Sequence, residues 1–264
     1  MSTATITLRS TSGLTDAVRS EWTKLWTVRS SWLNIVSAAA LTGLLGLQFG
    51  FNLAYDNTHL EAGETAVRQG VGEFGISVVV IVQVVVAAFA LLPVTSEYAT
   101  GSIRSTLQWT PVRRNVVLAK AIALAPVLFL YGLSMAGIAS VAGGLAAGEW
   151  ADWSGGALVA DLVSVGFYLT LAGLFAAGLA WVIRSTAGTL TAAFLFLLVV
   201  PMMLSQSTLR PLVWTAALLP GGAGQNYLTG ATDPLSPTWS AIVLLAWAAV
   251  SLILGTRTLT HRDT

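Results

Sequence analysis

The chain of 264 residues contains no cysteine, and charged residues make up only 9% of it. The lack of cysteine excludes disulfides, thiol catalysis and cysteine-ligated metal sites. Soluble domains usually carry about 25% charged residues, so this composition argues against a soluble protein. The net charge of +1 gives no support to a basic nucleic-acid-binding domain. With 55% hydrophobic residues, the composition indicates a membrane protein.

Six segments are long and apolar enough to cross a membrane, which takes about 20 mostly apolar residues. The predicted spans cover residues 33–53, 74–95, 121–145, 162–183, 186–205 and 239–256. The second is rich in Val and Ile, but its length exceeds that of an ordinary strand and favours a helix. Only Arg184 and Ser185 separate spans four and five, which predicts a tight hairpin. The predicted fold is an all-α polytopic membrane protein with a single permease-like domain over residues 1–264.

Lys and Arg residues concentrate at one set of span ends. If the N-terminus is cytoplasmic, Arg68 and Arg210 lie on the outer face, and the other eleven of the 13 Lys and Arg residues lie inside. Basic residues near span ends are retained in the cytoplasm. No signal-peptide cleavage pattern precedes the first span, so we expect that span to remain in the mature protein. We therefore expect a multi-pass protein of the bacterial cytoplasmic (inner) membrane with both termini in the cytoplasm.

The predicted spans contain no Asp, Glu, Lys, Arg or His, although such residues mark proton relays and ion-coupling sites. The only histidines, His59 and His261, face opposite compartments, so no Ser/His/Asp catalytic group is expected, and no metal site either. The chain also lacks a "GK[ST]" phosphate-binding loop. Sodium coupling through backbone carbonyls stays open. Apart from that route, the energy for uphill movement has to come from another polypeptide.

The stretch "LTDAVRSEWTKLWTVRSSW" has helical periodicity with an apolar stripe. We predict an amphipathic helix, too polar to span, lying along the inner membrane interface before span one. Glu21 interrupts the stripe between Ala17 and Leu25. A carboxylate facing lipid is unfavourable, so we expect a protein partner, most simply Arg104 or a group of backbone amines in the segment after span two. The alternative is that the helix rotates and Glu21 reaches headgroups or water.

The cytoplasmic segment 96–120 carries signals for a short helix. Gly101 can end span two, Ser102 can cap a new helix, and Pro111 disfavours helix at Thr110. Ile103 and Leu107 lie one turn apart on this helix. A short amphipathic helix just outside the membrane suits docking into a groove on a cytoplasmic partner. An ordinary basic loop is the alternative.

Three stretches in order resemble the permease subunits of bacterial type-2 ABC exporters, especially actinobacterial ones. They are "SEWTKLWTVRSSW", "EYATGSIRSTLQWTPVRRNVVLAK" and "LLPGGAGQNYL" with "SPTWSAIVLLAWAAV" and "HRDT". The resemblance implies a connecting helix and a coupling element that contacts an ATP-binding subunit. The connecting helix would include Glu21, Trp22 and Leu25. The coupling element would include Glu97, Gly101, Ser102, Arg104, Leu107, Pro111 and Arg113. Two departures from the family are Ser102, where Thr is frequent, and Trp109 before the Thr-Pro pair.

The resemblance also implies an assembly of two permeases, identical or related, with two ATPase subunits. ATP and Mg²⁺ would then bind in the partner, and this chain would hold no cofactor and perform no catalysis. The substrate path would run along the permease interface beside spans two and five, with candidate linings Gln83, Phe194, Phe196, Met202 and Met203. Ordinary helix packing is the alternative reading of these residues. Residues 206–238 are predicted to form short outer helices that partly re-enter the membrane, with a plain surface loop as the alternative.

The function predicted from the sequence is export of an apolar or amphipathic molecule, such as a drug, lipid or peptide, with multidrug resistance as one outcome. Two other classes remain open. A secondary carrier or channel would need no ATPase, and an immunity-type protein would bind a toxic peptide without transporting it.

Overall fold

The computed structural model describes residues 13–60, 63–110 and 112–261. Within them lie six helices that are long and apolar enough to cross a membrane, which confirms the predicted number of spans and an all-α polytopic architecture. The six spans are α2 (Arg29–Thr58), α3 (Val71–Ala99), α5 (Arg113–Ala147), α6 (Gly155–Ile183), α7 (Thr186–Phe194) continuing into α8 (Val200–Ser205), and α11 (Pro237–His261).

Shorter elements occupy the two ends of the bundle. One end carries α1 (Leu14–Thr27) and α4 (Ile103–Trp109), and we call it the α4 end. The opposite end carries β1 (Gln69–Gly70), β2 (Ala151–Asp152), α9 (Arg210–Leu218) and α10 (Pro220–Thr229), and we call it the α10 end. A single 3-10 turn, Gly148–Trp150, joins α5 to β2.

The helices on either side of α4 are longer than the apolar runs inside them. α3 continues past Thr95 to Ala99, and α5 begins at Arg113 instead of Ala121. Helical hydrogen bonding does not depend on side-chain polarity, so α3 continues past the apolar run to Ala99. Gly101, two residues later, has a φ of 71° that suits glycine and turns the chain away from the helix. Glu97 and Lys120 therefore lie inside long helices. Within the segment 96–120, residues 96–99 thus belong to α3 and residues 113–120 to α5, on either side of the short helix α4.

Small residues allow the long helices to pack closely. On α2, a Cβ added at Gly46 would lie 2.6 Å from the carbonyl oxygen of Ala139 on α5. On α6, a Cβ added at Gly178 would lie 2.2 Å from Ser251 Oγ on α11. Small residues at helix interfaces are typical of membrane bundles. A large buried apolar cluster, which includes Val82, Leu128 and Leu169, joins α3, α5 and α6.

The connection between α6 and α7 is the predicted tight hairpin. α6 ends at Ile183, Arg184 adopts the left-handed conformation with φ 60°, and α7 begins at Thr186. The backbone N–H of Gly188 donates to Ser185 Oγ at 3.4 Å, so Ser185 caps α7. The Thr186 hydroxyl donates to Thr95 Oγ1 at 2.9 Å, which fixes the hairpin against α3.

The α10 end contains a short strand pair and a side-chain hydrogen bond beside it. β1 and β2 pair in parallel, and the Arg68 guanidinium donates twice to the carbonyl oxygen of Glu149, at 3.1 and 2.8 Å. The predicted short helices after span five are present as α9 and α10. The buried face of α10, which includes Gly221, Ala223 and Gly224, packs inward.

Span five is not a uniform α-helix. Leu195–Val199, between α7 and α8, is a π-helical turn. Such turns are rare and occur frequently at functional sites. Here the carbonyl oxygen of Leu197 lies 3.4 Å from Gln83 Nε2, which donates to it from α3.

Candidate functional site

Four charged side chains form one cluster at the α4 end. Glu21 lies on α1 and points inward with Ala17 and Leu25. Lys24 lies one turn further along α1. Glu97 comes from the last turns of α3, and Lys120 from α5, roughly 10 Å beyond the first residue of that helix at 1.5 Å per residue. The cluster therefore connects three helices.

Lys120 is the most buried member of the cluster. Its side chain is 2% exposed, and its ammonium donates to Glu21 Oε2 at 2.5 Å, to Glu97 Oε1 at 3.1 Å and to the Pro93 carbonyl oxygen at 3.1 Å. An ammonium has three N–H donors, so all of them are used. A buried charge is costly unless it is paired and hydrogen-bonded, and this geometry meets that requirement.

Lys24 lies at the rim of the same cluster. Its side chain is 42% exposed, and its ammonium donates to Glu21 Oε1 at 2.6 Å and to Glu97 Oε1 at 3.0 Å. Glu21 thus accepts one lysine on each carboxylate oxygen. In Glu97 both lysines share Oε1, and the buried Oε2 has no hydrogen-bond partner within the described residues.

The charges of the cluster reinforce one another. Burial alone raises the pKa of the Glu21 carboxyl, but the ammoniums of Lys120 and Lys24 outweigh it, so the pKa lies below its ordinary value. Burial alone lowers the pKa of Lys24, but the carboxylates of Glu21 and Glu97 outweigh it, so the pKa lies above its ordinary value. Both side chains are therefore charged at neutral pH.

The prediction that Arg104 or backbone amines pair with Glu21 is wrong. Glu21 does have the expected protein partner, but the partner is Lys120, with Lys24 beside it, and not Arg104 or backbone amines. Arg104 is exposed on α4. From the sequence, Lys120 is the last residue of the cytoplasmic segment 96–120, whereas the early start of α5 brings it into the bundle interior.

The short helix α4 orients its residues differently from the docking face expected. Ile103 is buried and Leu107 packs beside it in an apolar cluster with Val116 and Trp181. The exposed side of α4 carries the polar residues Arg104 and Gln108, and Trp109 at its end is 78% exposed. Leu107 thus holds α4 to the bundle, and the polar flank faces outward.

The remaining predicted coupling residues have separate positions. Ser102 precedes α4 but makes no side-chain cap, and its hydroxyl lies 3.0 Å from Thr100 Oγ1. The Arg113 guanidinium donates to the Leu259 carbonyl oxygen at 2.7 Å and so binds the end of α11 to the start of α5. On α1, the predicted connecting helix, Trp22 is exposed and Leu25 is buried. Pro111 lies outside the described residues.

A second candidate site is a cavity of about 350 Å³ toward the α10 end. Its walls come from α3, α6, the π-helical turn, α8, α9 and α10, and no charged residue contributes to them. The Tyr168 hydroxyl donates to Gln83 Oε1 at one wall. The side-chain amides of Gln225 and Asn226 also line the cavity, and within the described residues neither has a hydrogen-bond partner. The cavity therefore suits an uncharged, largely apolar ligand.

Two of the five predicted path residues, Gln83 and Met202, line this cavity. Phe196 instead packs in the core with Phe175 and Trp247, at ring-centroid distances of 6.1 and 5.6 Å. Phe194 and Met203 are exposed, 39% and 72% respectively, and do not line the cavity. Phe194 and Met203 could line a substrate path only if that path ran along the outer surface of the chain, between it and another protein.

Several residues of both sites were missed from the sequence. Lys24 and Lys120 are the only lysines in the chain, and their scarcity was a signal for a special role. Tyr168, Gln225 and Asn226 carried no such signal, because the contacts of α10 with α6 are not visible in hydropathy. No protein-family model and no curated protein matches the chain.

Proposed function

We propose that the chain is the membrane subunit of an ATP-driven exporter, with both termini in the cytoplasm of a bacterium. A separate ATP-binding subunit docks on α4 and supplies the energy, and a second permease copy completes the assembly. The substrate is an apolar or amphipathic molecule. The sequence resemblance to type-2 ABC permeases is one support, and the arrangement at the α4 end is the other.

The observation that carries the proposal is the four-residue charge cluster. It joins α1 to α3 and α5 through four ion pairs of 2.5 to 3.1 Å, two of them buried on Lys120 and two part-buried on Lys24. Glu97 lies only six residues before the first residue of α4. A force applied to α4 would reach α3 directly, and through the cluster it would reach α1 and α5 as well.

The orientation of α4 supports a docking role. Its apolar side, Ile103 and Leu107, is fixed to the bundle, so α4 is held rigidly. Its outward side offers the Arg104 guanidinium, the Gln108 amide and the Trp109 ring, which is 78% exposed, groups suited to a groove on a protein partner that is polar with one apolar contact. A rigid, protruding helix can transmit a displacement, whereas a mobile loop would absorb it.

The cavity toward the α10 end supports an apolar cargo. It has apolar walls and amide groups without charge, and it lies between spans two and five, where the path was predicted. A 350 Å³ volume is at the small end of ligand pockets. In the proposed assembly this cavity is one part of the path.

Affinity purification from the native membrane in mild detergent tests the proposal. We expect a protein with nucleotide-binding motifs to co-purify in one-to-one ratio with the chain. Arg104→Glu reverses the charge on the exposed side of α4 and should reduce this recovery at least about tenfold, as loss of a charged interface contact of about 2 kcal/mol would. Arg210→Glu, an exposed charge reversal at the α10 end, is the matched control. Unchanged recovery with Arg104→Glu would contradict docking on α4.

A further inference from the structure

We propose that a second cavity, at the α4 end, binds the headgroup of a lipid that carries both a phosphate and a primary ammonium, namely phosphatidylethanolamine. The cavity measures about 380 Å³ and lies between the end of α1, the start of α2, the last turns of α3 and α4. This site is separate from the uncharged cavity toward the α10 end. The inference goes beyond the proposed export function and does not depend on it.

The cavity is amphipathic. One part of its wall is apolar, formed by Leu25 and Val28 at the junction of α1 and α2 and by Phe89, Leu92 and Pro93 on α3. The other part is polar, formed by the charge cluster and by hydroxyl residues of α2, α3 and α4. A ligand with an apolar stem and a polar head matches this division, whereas a fully soluble metabolite would leave the apolar wall uncovered.

Within the described residues, two hydrogen-bonding positions of the charge cluster are unused. One is an acceptor on a carboxylate, and the other is a donor on an ammonium. Glu97 is 7% exposed, and its Oε2 is buried without a hydrogen-bond partner. Lys24 makes two of its three possible donations, so one N–H is free. The two lie close together, because Lys24 Nζ is 3.0 Å from the other oxygen of the Glu97 carboxylate.

A buried carboxylate oxygen without a hydrogen bond costs free energy. A ligand that donates a charged N–H to this oxygen would remove that cost. The free N–H of Lys24 calls for an anion. A phosphate on Lys24 could also accept from hydroxyls at the cavity wall, since Ser31, Ser96 and Ser105 line it and make no side-chain hydrogen bond in the described part of the chain.

These requirements select one headgroup among common bacterial lipids. Phosphatidylethanolamine has a phosphate for Lys24 and an ammonium with three N–H donors for Glu97 Oε2. Phosphatidylcholine has the same charges, but its quaternary nitrogen has no N–H to donate. Phosphatidylglycerol lacks the positive charge. The apolar wall then contacts the start of the acyl chains.

Native mass spectrometry of the full chain in detergent, with each of the three lipids added in turn, tests the proposal. We expect phosphatidylethanolamine to bind at least about tenfold more tightly than phosphatidylcholine, the factor expected for one charged hydrogen bond. Glu97→Gln should abolish this preference. Glu73→Gln, a carboxylate removed at the other end of α3, is the matched control and should preserve it.

A second variant keeps the test decisive if Glu97→Gln fails to fold. The double substitution Ser96→Ala and Ser105→Ala removes two hydroxyls and leaves every ion pair in place, and it should weaken phosphatidylethanolamine binding several-fold. Equal affinities for the three lipids would overturn the proposal. Free phosphoethanolamine that binds as tightly as the lipid would overturn the assignment to a lipid.

Discussion

Lys120 shows how a bundle of apolar helices accommodates a charge. Its ammonium is almost fully buried, yet every N–H has an acceptor, and two of those acceptors are carboxylates. An intact buried ion pair adds little net stability, because both charges have lost their hydration. Removing one partner is strongly destabilising, because the other charge then remains buried and unpaired. Loss of a buried member of the cluster is therefore expected to cost more free energy than loss of the exposed Lys24.

We predict that Lys120→Met destabilises the folded chain by about 3 to 5 kcal/mol, since Glu97 and Glu21 would keep buried negative charge with only Lys24 nearby. Lys24→Met is the matched control, because the same substitution at a side chain that is 42% exposed should cost about 1 kcal/mol or less. Unfolding by titration with SDS would measure both. Equal losses would show that Lys120 is not held as described.

The pKa shifts of Glu21 and Lys24 give a pH window for stability. The folded pKa of Glu21 is lowered, so its contribution is present above the unfolded value of about 4.3 and is lost as the pH falls through the folded pKa. The folded pKa of Lys24 is raised, so its contribution is present below the unfolded value of about 10.4 and is lost as the pH rises through the folded pKa.

We therefore predict a plateau of melting temperature from about pH 5 to about pH 10 for the cluster's contribution. Glu21→Gln should remove part of the acid limb, and the difference between the wild-type and variant curves isolates this group from other carboxylates that titrate nearby in pH. Parallel curves for the two proteins below pH 5 would contradict the assigned pKa direction.

The sequence predicted that Glu21 has a protein partner, but it did not identify that partner. Glu21 interrupts an apolar stripe, and the expectation of a protein partner was right. Lys120 could not be identified as that partner, because hydropathy locates the first apolar residue, Ala121, and not the first helical one, Arg113. The contact between residues 99 positions apart in the chain depends on how α1 crosses α5.

Among the elements, α10 depends most on residues without side chains. A Cβ at Gly221 would lie 1.9 Å from the carbonyl oxygen of Leu197 in the π-helical turn, and a Cβ at Gly224 would lie 2.0 Å from the Tyr168 ring. Both distances are shorter than any tolerated contact. Glycine at these positions lets α10 reach the inner walls of the uncharged cavity.

We predict that Gly221→Ala loosens α10 by roughly 1 to 3 kcal/mol, because the obstructing atom is backbone and cannot move aside. The natural chain lacks cysteine, so a single Asn226→Cys reporter can measure the accessibility of the cavity wall by maleimide labelling. Labelling should become about tenfold faster in the Gly221→Ala background. Gly156→Ala, where an added Cβ meets nothing within 4 Å, should leave the rate unchanged.

The elements themselves were largely predictable, since apolar length alone identifies spans. The π-helical turn was not, because Leu195–Val199 is uniformly apolar and carries no local signal. Phe196 illustrates the same limit: its apolar character suited a path lining, but its partners Phe175 and Trp247 place it in the core.

For the whole molecule, the described structure joins two sites through the same helix. α3 carries Glu97 in the charge cluster and Gln83 at the uncharged cavity. A displacement of α3 at the α4 end would therefore also move the wall of the cavity. The chain has no phosphate-binding loop to generate that displacement. In the proposed division of labour, this chain supplies the path and a partner supplies the energy.

Transport in proteoliposomes tests that division most directly. The purified chain is reconstituted alone or together with its co-purifying ATPase, and movement of a neutral fluorescent amphiphile against its gradient is followed with ATP, without ATP and with an imposed ion gradient. We predict uphill movement only when chain, ATPase and ATP are all present. Uphill movement by the chain alone, driven by the ion gradient, would contradict the account.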